Sequence, residues 1–338
     1  MQTDDREQAG ASPDTSSSVP SRPFGSGSVS IRLYPHNELP ADAIVREVCA
    51  QARLALENGF GGVMTSEHHG GFAGYMAQPL QMAAFVLEET TTGWAAAAPL
   101  LLPLRSTALV AEEVAWLHAR HPGRVGVGVA AGALPLDFEA AGVPQADAVD
   151  SFKEELPRLA AMLRGEELGQ LEGDPALLAC RSAPVPVVSA AVSVSAAARA
   201  ATCGTGILME GMSPPERLAR LTRAFDDAGG TGPKVLIRRA WLGQVRSGLV
   251  AGQRAVYESY APDASAFGAD QTIASDDPVE VAERLVRTMV EVGADALNLR
   301  VQLPGMEPEQ VREQIERLGS TVVGLVKQAF PSTGLRAP

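Results

Sequence analysis

The segment FGGVMTSEHH (residues 60–69) is a short apolar run that ends in a group of polar side chains. Seven further apolar runs lie at 29–34, 93–98, 124–130, 184–190, 205–209, 234–241 and 295–301. Most are continuously apolar rather than alternating, which is typical of parallel strands covered on both faces. The run 93–98, GWAAAA, is the least strand-like, because alanine is not a strand former. The sequence therefore predicts eight parallel strands.

Helical patterns lie between these runs. Residues 41–59 place Ile44, Val48 and Ala52 at helical spacing and end on Gly59. Seven further helices fit residues 78–91, 107–121, 150–164, 195–203, 214–228, 277–292 and 308–329. Eight strand–helix alternations predict an α/β fold, a single-domain (β/α)8 TIM barrel, with an open doubly wound sheet as the alternative. The stretch 243–276 is predicted to be a long irregular loop, and loops of this length in a compact domain are usually functional or mobile.

The chain ends differ in composition from the rest. Residues 1–27 are rich in Ser, Pro, Gly and Asp, so we expect a disordered tail there, followed by the barrel over 28–330 and a short C-terminal tail over 331–338. The polar, acidic first residues argue against a signal peptide. No run of 18 apolar residues is present, so no membrane association is expected.

Charge and cysteine content exclude several classes of function. The net charge of −12 repels a phosphate backbone, so nucleic acid is not an expected partner. Three irregularly spaced cysteines argue against a disulfide framework and a zinc site. They fit a reducing compartment, and we expect a cytoplasmic protein.

Glu67-His68-His69 is the main candidate for chemistry, because active sites of TIM barrels lie at the carboxyl ends of strands. Two of the five histidines stand there beside a carboxylate. Imidazole moves protons near pH 7. The alternatives are a loop-capping histidine beside a solvated one, or a metal site. No further ligand at a suitable spacing is visible, so no metal is expected.

Two weaker motifs follow later strands. Gly126 and Gly128 fall inside a predicted strand, where glycine lets a neighbouring backbone or a flat ligand approach closely. They lack the context of a P-loop or a dinucleotide-binding fingerprint. Ser193 and Ser195 open an Ala-rich helix after the fifth strand. They indicate either an anion site at the helix start or a plain N-cap.

Several motifs together resemble the luciferase-like monooxygenase family of flavin-dependent barrels. They are SEHH (66–69), PLR (103–105), AEE (111–113), RVGVG (124–128), DDPVEVA (276–282) and GAD (293–295), in that order. The resemblance covers roughly residues 29–328. It implies a monooxygenase that oxidises a small organic substrate with O2 and reduced FMN, FMNH2, supplied by a separate flavin reductase. Secondary metabolism is one setting for such a reaction, and a homodimer is the family habit.

The resemblance also assigns roles to individual residues. His68 resembles the histidine that assists flavin–oxygen chemistry, with His69 beside it and Glu67 orienting the pair. The family's FMN phosphate ligands fall near Ser193 and Ser195. Further cofactor contacts are expected at Gly128 and Ala98, and an apolar substrate pocket at Phe72, Tyr75 and Met76, for which ordinary loop packing is the alternative.

One departure bears on the cofactor. Some members of the family carry a phosphate-binding arginine just after the fourth strand, where this chain reads Val129-Ala130-Ala131-Gly132. Two other functions therefore stay open at this point. One is a deazaflavin-dependent hydride-transfer oxidoreductase on the same barrel, and the other is a non-catalytic flavin-binding protein.

Overall fold

The computed structural model describes residues 22–72, 74–245, 247–258 and 271–329. Within them, eight parallel strands close into a barrel, because the first and last members of the sheet pair with each other. In barrel order these strands are β1 (Val29–Arg32), β2 (Gly62–Thr65), β3 (Trp94–Leu101), β4 (Val125–Ala130), β5 (Val187–Ala190), β6 (Gly206–Met209), β7 (Lys234–Leu242) and β9 (Ala296–Arg300). The predicted (β/α)8 barrel is confirmed, and each of the eight apolar runs overlaps a strand, GWAAAA included.

The helices follow the predicted alternation. They are α1 (Ala41–Glu57), α2 (Pro79–Glu89), α3 (Thr107–Arg120), α4 (Pro135–Ala141), α5 (Ala148–Met162), α6 (Pro175–Ala179), α7 (Val194–Thr202), α8 (Pro215–Asp227), α9 (Ser247–Glu258), α10 (Pro278–Val292), α11 (Pro308–Arg317) and α12 (Gly324–Ala329). A π-helical turn over Leu318–Val323 joins the last two. No helix in the described part of the chain has the length and apolar character needed to cross a membrane.

The stretch 243–276 is not uniformly irregular, so that prediction is wrong in part. It contains α9 and the short strand β8 (Ile273–Ser275), which pairs with the carboxyl-terminal end of β7. Residues 259–270 lie outside the described residues. The sequence pattern did not reveal α4 or α6 either, because helices of seven and five residues are too short to show a clear period.

The strands present two different faces. Outward-facing side chains such as Val127, Leu236 and Leu299 join the large core between the sheet and the helices. Inward-facing residues form a second, smaller core inside the barrel. Its members are Phe24, Met64, Trp94, Ala96, Ala98, Val188, Leu208, Val235, Ile237 and Ala296. This division follows from the alternation of side chains along each strand.

Phe24 fills the amino-terminal end of the barrel. It is fully buried and makes an edge-to-face contact with Trp94, at 5.2 Å between ring centroids. A Cβ on Gly126 would lie 2.7 Å from the Phe24 ring, so glycine there makes room for the aromatic side chain. The predicted tail over 1–27 is therefore wrong for residues 22–27, which belong to the folded barrel. Residues 1–21 and 331–338 lie outside the described residues.

Candidate functional site at the barrel mouth

The chain leaves β2 at its carboxyl end and folds into a loop over the mouth of the barrel. Ser66 and Met76 hold the two ends of this loop together, since the Met76 N–H donates to the Ser66 carbonyl oxygen at 3.1 Å. The His68 N–H donates to the Met76 carbonyl oxygen at 3.3 Å, completing a short parallel bridge. The predicted Glu67-His68-His69 group thus lies at the carboxyl-terminal mouth.

A buried carboxylate holds His68. The Nδ1 of His68 lies 2.7 Å from the Oδ2 of Asp137, and the Oδ1 of Asp137 accepts the backbone N–H of His69 at 2.7 Å. The Asp137 side chain is fully buried, whereas that of His68 is 18 % exposed. Asp137 lies in the first turn of α4, where the positive end of the helix dipole favours an ionised carboxylate.

This contact determines which nitrogen of His68 is free. An ionised carboxylate only accepts hydrogen bonds, so the Nδ1 of His68 carries the proton in this arrangement. The Nε2 is then the nitrogen that accepts or delivers a proton at the mouth of the barrel. A carboxylate–histidine pair of this kind fixes both the tautomer and the orientation of the ring.

Glu67 serves a different set of partners. Its buried carboxylate forms an ion pair with Arg105 and a 3.1 Å contact with the Nε2 of His69. Its Oε2 accepts the backbone N–H of Leu101 at 2.6 Å, which ties the end of β2 to the end of β3. Glu67 therefore contacts His69, while Asp137 contacts His68. This differs from the expectation that Glu67 orients both histidines.

Aromatic rings surround one side of the His68 imidazole. Tyr75 packs edge-on against it at 4.5 Å between centroids, and Phe72 packs at 5.1 Å. Tyr75 in turn contacts Tyr34, which follows β1, at 5.4 Å. Met76 is partly buried against the main core. Of the three predicted substrate residues, Phe72 and Tyr75 thus lie directly beside the candidate catalytic histidine.

Ser193 and Ser195 lie at the same end of the barrel, after β5. Ser193 is the N-cap of α7, and its Oγ accepts the backbone N–H of Ala196 at 3.2 Å. The two serine hydroxyl oxygens are 3.1 Å apart and both side chains are exposed. Ser193 is therefore an N-cap. Exposed hydroxyl groups at a helix start are also compatible with phosphate binding, which stays a prediction.

Gly128 and Ala98 lie inside the barrel and contact each other. A Cβ on Gly128 would lie 2.8 Å from the Ala98 Cβ and 3.2 Å from a Val188 methyl group. The glycine is therefore explained by the close approach of β3 and β4, one of the two readings that the sequence left open. A cofactor contact at these positions stays a prediction.

Asp137 is the residue of the site that the sequence did not reveal. The only local signal is Pro135 with an acidic residue two positions later, which is typical of a helix start and not of a catalytic site. Across the described ranges, no group of three or more His, Cys, Asp or Glu side chains is arranged to hold a metal ion.

Comparison with known proteins points to one family. The family model described as luciferase-like monooxygenase matches residues 29–323. None of the curated proteins matches the sequence at a significant level.

Solved structures share the fold at low sequence identity. Monooxygenase RslO1 from Streptomyces bottropensis is 19 % identical with a TM-score of 0.72, over 88 % of this chain and 99 % of its own. The oxygenating constituent of 3,6-diketocamphane monooxygenase from Pseudomonas putida, solved with FMN, is 16 % identical with a TM-score of 0.67, over 88 % and 98 %. An F420-dependent secondary alcohol dehydrogenase is 16 % identical with a TM-score of 0.68, over 88 % and 98 %.

Proposed function

Because the chain belongs to the luciferase-like monooxygenase family, we propose that it uses reduced FMN and O2 to oxidise a small organic substrate. A separate reductase supplies the reduced flavin as a transient partner. The observation that carries the proposal is the contact of 2.7 Å between His68 and the buried Asp137 at the mouth of the barrel. A histidine held in this way is suited to proton transfer beside a bound cofactor.

The residues present fit a flat, phosphorylated cofactor. The inward positions at the ends of β4 and β5 carry the small residues Ala130 and Ala190, and Ala98 lies deeper on the inward face of β3. The buried hydroxyl of Ser66 has no hydrogen-bond partner in the described structure, so it is available to a ligand. Bound reduced FMN supplies the electrons with which O2 is activated.

The protein contributes a proton-transfer group and a dry surface. With Nδ1 bonded to Asp137, the Nε2 of His68 is placed to take up or deliver the proton that the oxidation requires. The rings of Phe72 and Tyr75 cover the imidazole and keep water from that side. The hydroxyls of Ser193 and Ser195, at the positive end of α7, hold the cofactor phosphate in this proposal.

A deazaflavin-dependent hydride transfer is the second candidate. It is favoured by the similarity to the F420-dependent secondary alcohol dehydrogenase. That structure has a TM-score of 0.68, and the 3,6-diketocamphane monooxygenase constituent solved with FMN has one of 0.67. A proton-donating histidine at the mouth serves either reaction, so the site geometry does not separate the two.

Anaerobic titration with oxidised FMN, photoreduced FMN and coenzyme F420 tests the proposal. We expect reduced FMN to bind more tightly than oxidised FMN, because the segment Val129–Gly132 brings no arginine to the phosphate and a two-component enzyme exchanges its flavin. Admission of air to the complex should then show oxygen uptake. Binding of F420 alone, or of neither cofactor, contradicts the FMN proposal.

We propose a homodimer in the cytoplasm, as the family habit and the three free cysteines suggest. Light scattering coupled to size exclusion measures the oligomeric state. A mass of one chain at micromolar concentration contradicts the dimer.

A further inference from the structure

Arg238 is a buried arginine on the outer face of the barrel wall. Its exposed fraction is 1 %, and its register partner on β9 is Leu299, which packs in the main core between the sheet and the helices. Its neighbour Ile237 belongs to the core inside the barrel, as the alternation of strand residues requires. The Arg238 side chain therefore lies between β7 and the elements that cover it, outside the barrel interior.

The protein uses only one edge of the Arg238 guanidinium group. The Nη1 donates to the carbonyl oxygens of Gly211 at 3.0 Å and Ser213 at 3.3 Å, both in the loop after β6. The Nε and Nη2 are buried and have no hydrogen-bond partner within the described ranges. Their N–H bonds point from the same edge of the planar group, so they form a fork that matches two oxygens of one anion.

The charge of Arg238 is compensated only from a distance. Burial lowers the pKa of Arg238 and the carboxylate of Glu210 raises it, but arginine retains its charge in proteins. The two Glu210 oxygens accept the backbone N–H groups of Met212 and Ser213. In the part of the chain that the structure describes, no hydrogen bond joins Glu210 to Arg238. Donors of a buried charged group are costly to leave unpaired, so this edge of Arg238 points to a ligand.

A cavity lies beside Arg238, between β7, β8 and α10, and we call it the β7–α10 cavity. Its volume is about 310 Å³, at the lower end of the range of roughly 300–1,000 Å³ for pockets that hold small molecules. Besides Arg238, its lining includes Arg284, Arg287 and Thr288 of α10 and Ile273 of β8. The cavity therefore brings three guanidinium groups together on the outside of the barrel.

The lining of this cavity has an excess of positive charge. Glu291 is the one carboxylate among the described lining residues, against three arginines, although the whole chain has a net charge of −12. The Nη1 of Arg284 donates to the Ala274 carbonyl oxygen at 3.0 Å and lies 3.5 Å from the carboxylate of Glu280. The Thr288 hydroxyl donates to a backbone carbonyl oxygen, so the arginines are the groups that attract an anion.

We propose that the β7–α10 cavity binds a phosphate group, as inorganic phosphate or a small phosphate monoester, on the Nε and Nη2 of Arg238 and on Arg287. A dianion is favoured because it neutralises the excess of two positive charges in the lining. Since both Arg238 nitrogens are covered, the anion reaches them when an exposed, flexible lining side chain such as that of Arg287 turns aside. The site is separate from Ser193 and Ser195, which follow β5, and it does not depend on the proposed function.

Calorimetric titration of the full cofactor-free chain at constant ionic strength tests the cavity without turnover. The probes are inorganic phosphate and glycerol 3-phosphate, with acetate as a singly charged anion and glycerol as a neutral control. We expect one site per chain, and at least one phosphate compound should bind roughly tenfold or more tightly than acetate, because a dianion forms more charge-assisted hydrogen bonds. Tighter binding of glycerol 3-phosphate than of phosphate would identify the ligand as a monoester, and the reverse order would identify it as the free ion.

Two arginine variants locate the bound phosphate. Arg238→Gln should weaken phosphate binding roughly tenfold or more, because the fork of Nε and Nη2 is lost. Arg287→Gln, at an exposed position that tolerates substitution, should weaken it by a smaller factor, since salt screens an exposed charge. Arg46→Gln is the matched control, because Arg46 is exposed on α1 and its replacement changes the net charge equally. It should leave phosphate binding unchanged.

The double variant Ser193→Ala with Ser195→Ala separates this cavity from the proposed flavin-phosphate site, and it should bind inorganic phosphate as the wild type does. Loss of phosphate binding in the serine variant, with full binding in both arginine variants, would place the anion at the barrel mouth and overturn the proposal. Equal binding of phosphate and acetate by the wild-type chain, or binding of neither phosphate compound, also overturns it, whether or not Arg238→Gln folds.

Discussion

The Nδ1 of His68 lies 2.7 Å from the Oδ2 of Asp137, although the two residues are 69 positions apart in the chain. The same carboxylate accepts the backbone N–H of His69. One buried side chain on α4 therefore fixes both the ring of His68 and the course of the loop that carries it.

Asp137→Asn should abolish most of the turnover while the barrel stays folded. The backbone N–H of His69 needs the amide oxygen as its acceptor, so the amide nitrogen faces His68 as a donor. His68 must then accept at Nδ1 and carry its proton on Nε2, the opposite tautomer. We expect turnover with saturating reduced FMN to fall by roughly 10²-fold or more. Glu139→Gln, on an exposed position of the same helix, is the control and should retain full activity. Equal activity of the two variants would show that Asp137 does not set the protonation of His68.

His68→Ala should lose more turnover than His69→Ala. The Nδ1 of His68 contacts the buried carboxylate of Asp137, which leaves its Nε2 for proton transfer. The Nε2 of His69 instead contacts the carboxylate of Glu67. General acid–base help is worth about 10² to 10⁴ in rate. Turnover at saturating reduced flavin is measured alongside melting temperature and flavin affinity. Near-wild-type turnover in both variants would make the histidine pair structural.

Glu67→Gln should act mainly on stability. The buried carboxylate joins Arg105, His69 and the Leu101 N–H, and a neutral amide leaves the Arg105 charge without its partner. We expect the free energy of unfolding to fall by about 2–4 kcal/mol in urea denaturation, a cost in the range of broken buried ion pairs. Because the Arg105 side chain is 20 % exposed, water screens its charge, and we expect a loss of unfolding free energy near the lower end of this range. A change below about 0.5 kcal/mol, the scatter of surface substitutions, would contradict this role.

Ser193→Ala combined with Ser195→Ala should weaken the binding of reduced FMN by roughly 1–3 kcal/mol, because two hydrogen bonds to a charged group are lost. Loss of the N-cap will also lower the melting temperature. Asp277→Ala removes a comparable N-cap, from α10, whose side chain accepts the Val279 N–H at 2.8 Å. This control should lower the melting temperature and leave FMN affinity unchanged. Unchanged affinity in the serine double variant would place the phosphate elsewhere.

Stability should fall between pH 7.5 and 5.5, in part because of His118. Burial lowers the pKa of His118 in the folded protein, so protons bind it more readily in the unfolded chain. The free energy of unfolding therefore drops as the pH falls through the ordinary histidine pKa of about 6.5. His118→Leu should reduce the loss of unfolding free energy between the two pH values, measured by urea denaturation. Identical losses in both proteins would show that His118 contributes nothing.

The sequence by itself determined the barrel and the position of Glu67-His68-His69 at the end of its second strand. Strand and helix periodicity is a local property, readable from a few consecutive residues, and eight alternations leave few ways to close a sheet. Glu67-His68-His69 could be predicted at the mouth because a strand end is also visible locally. The N-cap at Ser193 followed from residue type and the helix start alone.

Only the tertiary structure decided which side chains meet. Asp137 reaches His68 because α4 follows β4, two strands away from β2 in the closed sheet. Arg32 and Arg300 share a layer because strand closure sets their register, although they stand at opposite ends of the chain. Phe24 belongs to the barrel because Gly126 leaves space for its ring. Contacts of this kind depend on register and packing between distant segments, and neither leaves a periodic signal in the residues themselves.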